Sequence, residues 1–222
     1  MEITVAFRTG IAEVTLDDGK KNVITVDAAR RLDAVLAEAE GAADAIVLSG
    51  RPGSFCAGFD RAIMVGDDDA ARSALGAAGA RVAQRLFDCP KPVVAACTGH
   101  AFTIGALWLM ACDTRIGERG AYKFAMTETV MGATLSGWPL ALLETRVPPR
   151  LMTPIAVQSL VLDPEDAVEA GYLDRVVDAG EAVAAARQTA NALAQLPLET
   201  YAANKRAVRS AVSERIRASL AG

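Results

Sequence analysis

Between Lys91 and Asp113 the chain carries no Asp, Glu, Lys or Arg. A charge-free run of that length fits either a membrane span or a pair of elements buried on all sides. Pro92, Thr98, Gly99, His100, Thr103 and Gly105 interrupt it and speak against one spanning helix. The run divides instead into a strand, Val93-Val-Ala-Ala-Cys97, a turn, Thr98–Gly105, and a buried helix that starts by Ala106-Leu-Trp-Leu-Met110 and ends near Cys112. Strand, glycine-bearing turn and buried helix in succession are the grammar of an α/β fold. They also leave the first amides of the helix without intrahelical partners.

A second stretch follows the same logic. Ala45-Ile-Val-Leu-Ser49 is a short apolar run that reads as a buried strand, and Arg51-Pro-Gly-Ser-Phe-Cys-Ala-Gly-Phe-Asp60 follows it. Gly50, Pro52, Gly53 and Gly58 break regular structure there. Free backbone N–H groups in such turns are what a site uses to hold a developing oxyanion. Phe59 and Ile104 are the candidate donors, one per turn. Equally, the glycines could serve only to make tight turns.

Around these stretches, Ile3, Val5 and Phe7, then Ile11, Val14 and Leu16, predict an antiparallel hairpin over 2–16. Asp17–Asn22 is a polar turn. Thr25 caps a helix with Asp27 in its first turn, which Gly41 stops. Residues 61–69 read as irregular and Ala70–Phe87 as a helix ended by Cys89-Pro-Lys-Pro92. Thr114–Ile116 is a strand and 117–135 holds turns. Helices follow at Trp138–Thr145, from Pro148-Pro149 through Met152 and Ile155, and at Pro164–Ala170, then a strand at Arg175–Val177. Two amphipathic helices, Glu181–Leu196 and Leu198–Ala221, flank Pro197. The expectation is an α/β core over 1–145 and a helical region over 146–222, continuous with each other.

Composition excludes several functions. The 222 residues are 52% hydrophobic, enough for a sizeable core, and the net charge of −4 disfavours nucleic acid or an anionic membrane as partner. Cys56, Cys89, Cys97 and Cys112 show no CxxC spacing and read as reduced, buried thiols. Met-Glu-Ile-Thr-Val lacks the regions of a signal peptide, so a cytoplasmic location is expected. With one histidine and no HExxH, Cys/His cluster or Ca²⁺-loop spacing, no metal site is expected. Walker A, GxGxxG and GxSxG patterns are missing as well. His100 reads more readily as a backbone-bonded histidine than as a catalyst. Glu128, in an otherwise charge-free stretch between Lys123 and Glu144, is either an exposed glutamate at a helix start or a carboxylate whose apolar surroundings suit proton transfer.

Ser54-Phe-Cys-Ala-Gly-Phe-Asp60, Pro92-Val-Val-Ala-Ala-Cys-Thr-Gly-His-Ala and Ala111-Cys-Asp-Thr-Arg115 together resemble the crotonase (enoyl-CoA hydratase/isomerase) superfamily. Phe124–Gly132 and Pro164–Val177 match later segments, so the resemblance spans nearly the whole chain. It implies a crotonase (ClpP/crotonase-like) superhelix of ββα units with a helical C-terminal trimerisation region, assembled as a homotrimer or dimer of trimers. It implies an acyl-CoA substrate, with coenzyme A as part of the substrate and no other cofactor. Phe59 and Ile104 N–H would form the oxyanion hole. Phe55, Ala57, Gly58, Asp60, Gly105 and Lys205 would bind substrate or CoA, and Phe102, Leu107, Met131, Leu135 and Trp138 are acyl-pocket candidates that fit the core equally well. The family's hydratases carry two glutamates. Glu128 matches the second, Leu107 stands where the first would be, and Thr103-Ile104-Gly105 replaces a glycine triplet. A single carboxylate suits moving a double bond better than adding water. The resemblance therefore points to a Δ3-Δ2-enoyl-CoA isomerase with Glu128 as acid/base, with a hydratase or an inactive acyl-CoA binder as alternatives.

Overall fold

The computed structural model describes residues 1–135 and 137–221. β1 (Glu2–Arg8) and β2 (Ile11–Asp17) form the antiparallel hairpin, turned by Thr9 and Gly10 at positive φ. After β3 (Val23–Ile24), Thr25 caps α1 (Val26–Ala42), its Oγ1 accepting from the Ala28 N–H at 3.2 Å. Gly41 does not stop α1; the chain turns extended only at Ala43. One helical glycine costs about 1 kcal/mol, less than the burial of Leu32, Leu36 and Ala39 on the same helix returns.

The sheet-forming core continues with β4 (Ala45–Ser49), β5 (Gly53–Cys56) and β6 (Gly58–Phe59), so the glycine-rich stretch holds two short strands. α2 (Arg61–Val65) occupies part of the segment expected to be irregular, because Asp60 Oδ1 accepts from the Ala62 N–H at 2.9 Å and caps it. Then come α3 (Asp69–Asp88), β7 (Val93–Cys97), β8 (Gly99–Phe102), α4 (Ile104–Ala111), β9 (Thr114–Glu118) and β10 (Phe124–Ala125). The C-terminal part comprises α5 (Trp138–Arg146), α6 (Pro149–Met152) running into a π-helical turn at Thr153–Val157, α7 (Pro164–Glu169), β11 (Arg175–Val177), α8 (Ala182–Ala194) and α9 (Leu198–Ala221).

The main sheet has the order β1-β2-β4-β7-β9-β11, parallel beyond the first hairpin. Alternate side chains explain its unbroken apolar runs. Ile46, Leu48, Val93, Ala95 and Cys97 face the main core, while Ala45, Val47, Val94 and Ala96 pack against Ala182, Ala186 and Ala190 of α8. Residues 146–221 thus supply both a sheet strand and the helix over its second face. α9 packs on α3 and α5. Every residue of α4 is buried, as its composition requires. Among the described residues no helix is long and apolar enough to cross a membrane.

A smaller sheet, β10-β8-β5, is parallel throughout. Its three carboxyl ends therefore leave on the same side, and that side carries the candidate chemistry.

Candidate active site

From those three ends the chain proceeds to Phe59 after β5, to Ile104 after β8 and to Glu128 after β10. The two glycine turns are packed into each other. A Cβ on Gly58 would stand 2.7 Å from Thr103 Oγ1, and one on Gly105 would stand 2.6 Å from Cys56 Cβ and 2.7 Å from the Cys56 carbonyl. Close approach, not only turn geometry, requires glycine at these positions. A third glycine, Gly79 of α3, receives both candidate donors' side chains. A Cβ there would meet Phe59 Cζ at 2.5 Å and Ile104 Cδ1 at 3.1 Å. The Trp108 indole fixes that contact by donating to the Gly79 carbonyl at 3.0 Å.

Ile104 opens α4, whose first internal bond runs from the Leu107 N–H to the Thr103 carbonyl at 3.0 Å. No side chain caps the helix. The amides at its start thus have no intrahelical acceptor and lie at the positive end of the helix dipole. Isoleucine is compatible with this role because Ile104 has helical backbone; the positive φ of the turn falls on Thr103, at φ 47° and ψ −112°. At the opposite end of α4, Arg146 donates to the carbonyls of Met110 at 3.1 Å and Cys112 at 2.9 Å, and Arg209 donates to that of Ala111 at 3.2 Å. For Phe59, the next amide, that of Asp60, donates to Ile24 of β3 at 2.9 Å. Successive amides of an extended strand point to opposite sides, so the Phe59 N–H is directed away from β3.

Glu128 sits in the turn after β10, held by the Ala133 N–H to Glu128 carbonyl bond at 2.8 Å and the Met131 N–H to Thr127 carbonyl bond at 3.0 Å. It is half-buried and not at a helix start, and its Oε2 is buried without a hydrogen-bond partner. Burial raises its carboxyl above the ordinary range, opposed by the backbone N–H groups of Glu128 and Thr127. A carboxyl raised in this way is a better proton acceptor than a free one and can return the proton it takes.

Other expectations change. Phe55 is fully buried in the core and offers no side chain to a ligand. The Ala57 N–H is committed to the Lys21 carbonyl at 3.0 Å, and the Asp60 carboxylate to its capping role. Lys205 is withdrawn from any CoA contact within this chain: its side chain is 7% exposed and its Nζ lies 2.7 Å from Asp113 Oδ2, with a further bond to the Lys91 carbonyl. Asp113 also binds Arg209 at 2.8 Å, so the cluster ties α9 to the start of β9. Leu107 is core. Phe102 stands beside His100, ring centroids 6.0 Å apart, while Met131, Leu135 and Trp138 are partly buried. His100 Nδ1 accepts from the Lys123 N–H at 3.0 Å, the bland role. All four cysteines are free and buried, and burial pushes Cys56 up to about 12 and Cys89 to about 11.

Asn22, passed over as part of a polar turn, positions the first donor loop. Its buried amide donates to the carbonyls of Leu16 at 2.9 Å, Ser54 at 3.1 Å and Phe55 at 3.1 Å. Its positive φ of 57° is a state Asn tolerates better than most residues, the one sequence signal available.

A family model described as enoyl-CoA hydratase/isomerase matches residues 6–222. The chain is 28% identical over 206 residues to the carnitinyl-CoA dehydratase of Proteus mirabilis, covering 91% of this chain and 78% of that one. An enoyl-CoA hydratase/isomerase family protein from Pseudomonas syringae superposes with a TM-score of 0.94 at 30% identity, over 98% of this chain and 94% of that one. A Mycobacterium tuberculosis structure described as an enoyl-CoA isomerase superposes with a TM-score of 0.94 at 28% identity, over 99% and 96%.

Proposed function

The chain belongs to the enoyl-CoA hydratase/isomerase family and has the crotonase fold, and from that premise we propose that it is a Δ3-Δ2-enoyl-CoA isomerase with Glu128 as its one acid/base. The observation that carries this reading is the buried, unpaired Glu128 carboxyl, together with a helix α4 that bears no carboxylate of its own. By the family resemblance Leu107 stands where a second glutamate would be, and α4 around it is apolar and buried throughout.

In this reading the thioester oxygen of a 3-enoyl-CoA lies between the Phe59 and Ile104 amides. Glu128 removes a proton from C2; the C–H electron pair forms the dienolate, whose negative charge the two N–H groups and the α4 dipole stabilise. The same carboxyl group returns the proton to C4, leaving the double bond between C2 and C3. No water is added and no proton is lost. Oxyanion donors of this kind contribute on the order of 3 kcal/mol each. A homotrimer or dimer of trimers completes the reading, testable by sedimentation.

The dehydratase name of the Proteus mirabilis relative favours a second reading, reversible hydration of a 2-enoyl-CoA. Parallel incubations with 3-enoyl- and 2-enoyl-CoA across chain lengths separate the two. Isomerisation predicts conjugation of the 3-enoyl substrate with no 3-hydroxyacyl-CoA; rapid 3-hydroxyacyl-CoA formation without a bond shift would reverse the assignment.

A further inference from the structure

Tyr172, which follows α7, is fully buried, yet its hydroxyl has no hydrogen-bond partner. Leaving a buried hydroxyl unpaired costs about 1–3 kcal/mol, and a phenylalanine in the same space would avoid that cost. The ring is placed firmly. It meets Phe124 edge-on with centroids 6.3 Å apart, and the Tyr172 N–H bonds to the Ala167 carbonyl at 2.9 Å. Phe124 is the first residue of β10, the strand that delivers Glu128, and the Tyr172 hydroxyl lies near the Met126 N–H without a well-formed hydrogen bond to it. The phenol thus lies beside the segment that ends at Glu128, whose Oε2 is likewise buried without a partner. Burial, and secondly the charge of Glu128, keep the phenol protonated far above its ordinary range, so it remains a donor wherever Glu128 is ionised.

We propose that Tyr172 is a positioning residue for Glu128, its hydroxyl donating to Oε2 through one bridging water. This rests on the reading of Glu128 as the acid/base. A donor to the ionised carboxylate fixes which oxygen faces the substrate and favours the charged form, offsetting part of the desolvation. It also adds a second anchor, at Oε2, to a carboxyl that the backbone N–H groups of Glu128 and Thr127 reach.

The test is Tyr172→Phe, which retains the ring and its contact with Phe124. The Glu128 carboxyl is followed by ¹³C NMR in glutamate-labelled protein, assigned by its loss in Glu128→Gln. The midpoint of its titration should rise by roughly half a pH unit or more. The acid limb of kcat/KM should move with it, and kcat should fall about tenfold with KM little changed. In the unaltered protein labelled at tyrosine ¹³Cζ, the Tyr172 signal should shift with the Glu128 midpoint, an effect absent from Glu128→Gln. Neither NMR measurement needs a substrate, so each can succeed even where the isomerase reading fails. An unmoved Glu128 midpoint in Tyr172→Phe, or a Tyr172 signal blind to the Glu128 titration, overturns the proposal.

Discussion

The Thr103 N–H meets the Ala125 carbonyl at 3.0 Å, and this one bond ties the turn that presents the Ile104 amide to the strand that presents Glu128. Thr103 accepts a positive φ to make it. Such a residue stores about 1–3 kcal/mol of strain. Thr103→Gly relieves the strain while retaining the N–H, at an entropic cost of about 1 kcal/mol. Its melting temperature and kcat should stay close to those of the parent. Thr103→Pro cannot adopt φ 47° and deletes the donor; it should lose activity even where folded protein is recovered.

Gly105 offers a sharper test of the interlocked turns. An added methyl would meet the Cys56 backbone carbonyl at 2.7 Å, which no side-chain rotation can relieve. Gly105→Ala should cost about 1–3 kcal/mol of stability, and kcat should fall at least tenfold because the two oxyanion donors are forced apart. Calorimetry and steady-state kinetics on one preparation would check both.

Glu128 should lower the stability of the protein it serves. Its carboxyl is raised by burial, so between the ordinary carboxylate range and its raised value the native state holds more protons than the unfolded chain. Stability from this group is then lost as pH rises through that window. Glu128→Gln removes the buried charge and should raise the melting temperature at neutral pH, by about 2–4 °C for about 1 kcal/mol, an advantage that shrinks below pH 4. Thermal scans of both proteins from acid to neutral pH would show the two curves converging at the acid end.

The Asp113 cluster predicts a different pattern for α9. Asp113 neutralises Lys205 and Arg209, both largely buried. Asp113→Asn leaves two buried cations and should cost about 3–5 kcal/mol. Lys205→Met leaves the Asp113–Arg209 pair intact and should cost less. Because Lys205 is committed inside the chain, KM for acyl-CoA should change little in Lys205→Met; a tenfold rise would return the lysine to the CoA site.

The parts of this molecule that the sequence makes legible share one cause. Val93–Cys97 and Ala45–Ser49 are buried on both faces, so they leave unbroken apolar runs. Ile104 and Phe59 stand out because glycines flank them in chemistry-bearing turns. The strands β5, β6 and β10 are less visible, since two to four residues carry no period and are defined by neighbours distant in sequence. Asn22, Gly79 and Tyr172 escape notice for the same reason. Asn22 acts on Ser54 and Phe55, Gly79 on Phe59 and Ile104, and Tyr172 on the strand before Glu128, none of them local. Lys205 misleads in the opposite sense, because a helix lysine shows its charge in the sequence but not the buried aspartate that absorbs it.

In the proposed isomerisation one carboxylate carries the proton. The most direct measurement is kcat for 3-enoyl-CoA isomerisation by Glu128→Gln, alongside acyl-CoA affinity by calorimetry. The kcat should fall by about 10²–10⁴ with affinity retained, since the amides of Phe59 and Ile104 and their packing on Gly79 are untouched. A glutamine variant that still shifts the double bond within tenfold of the parent rate would contradict it.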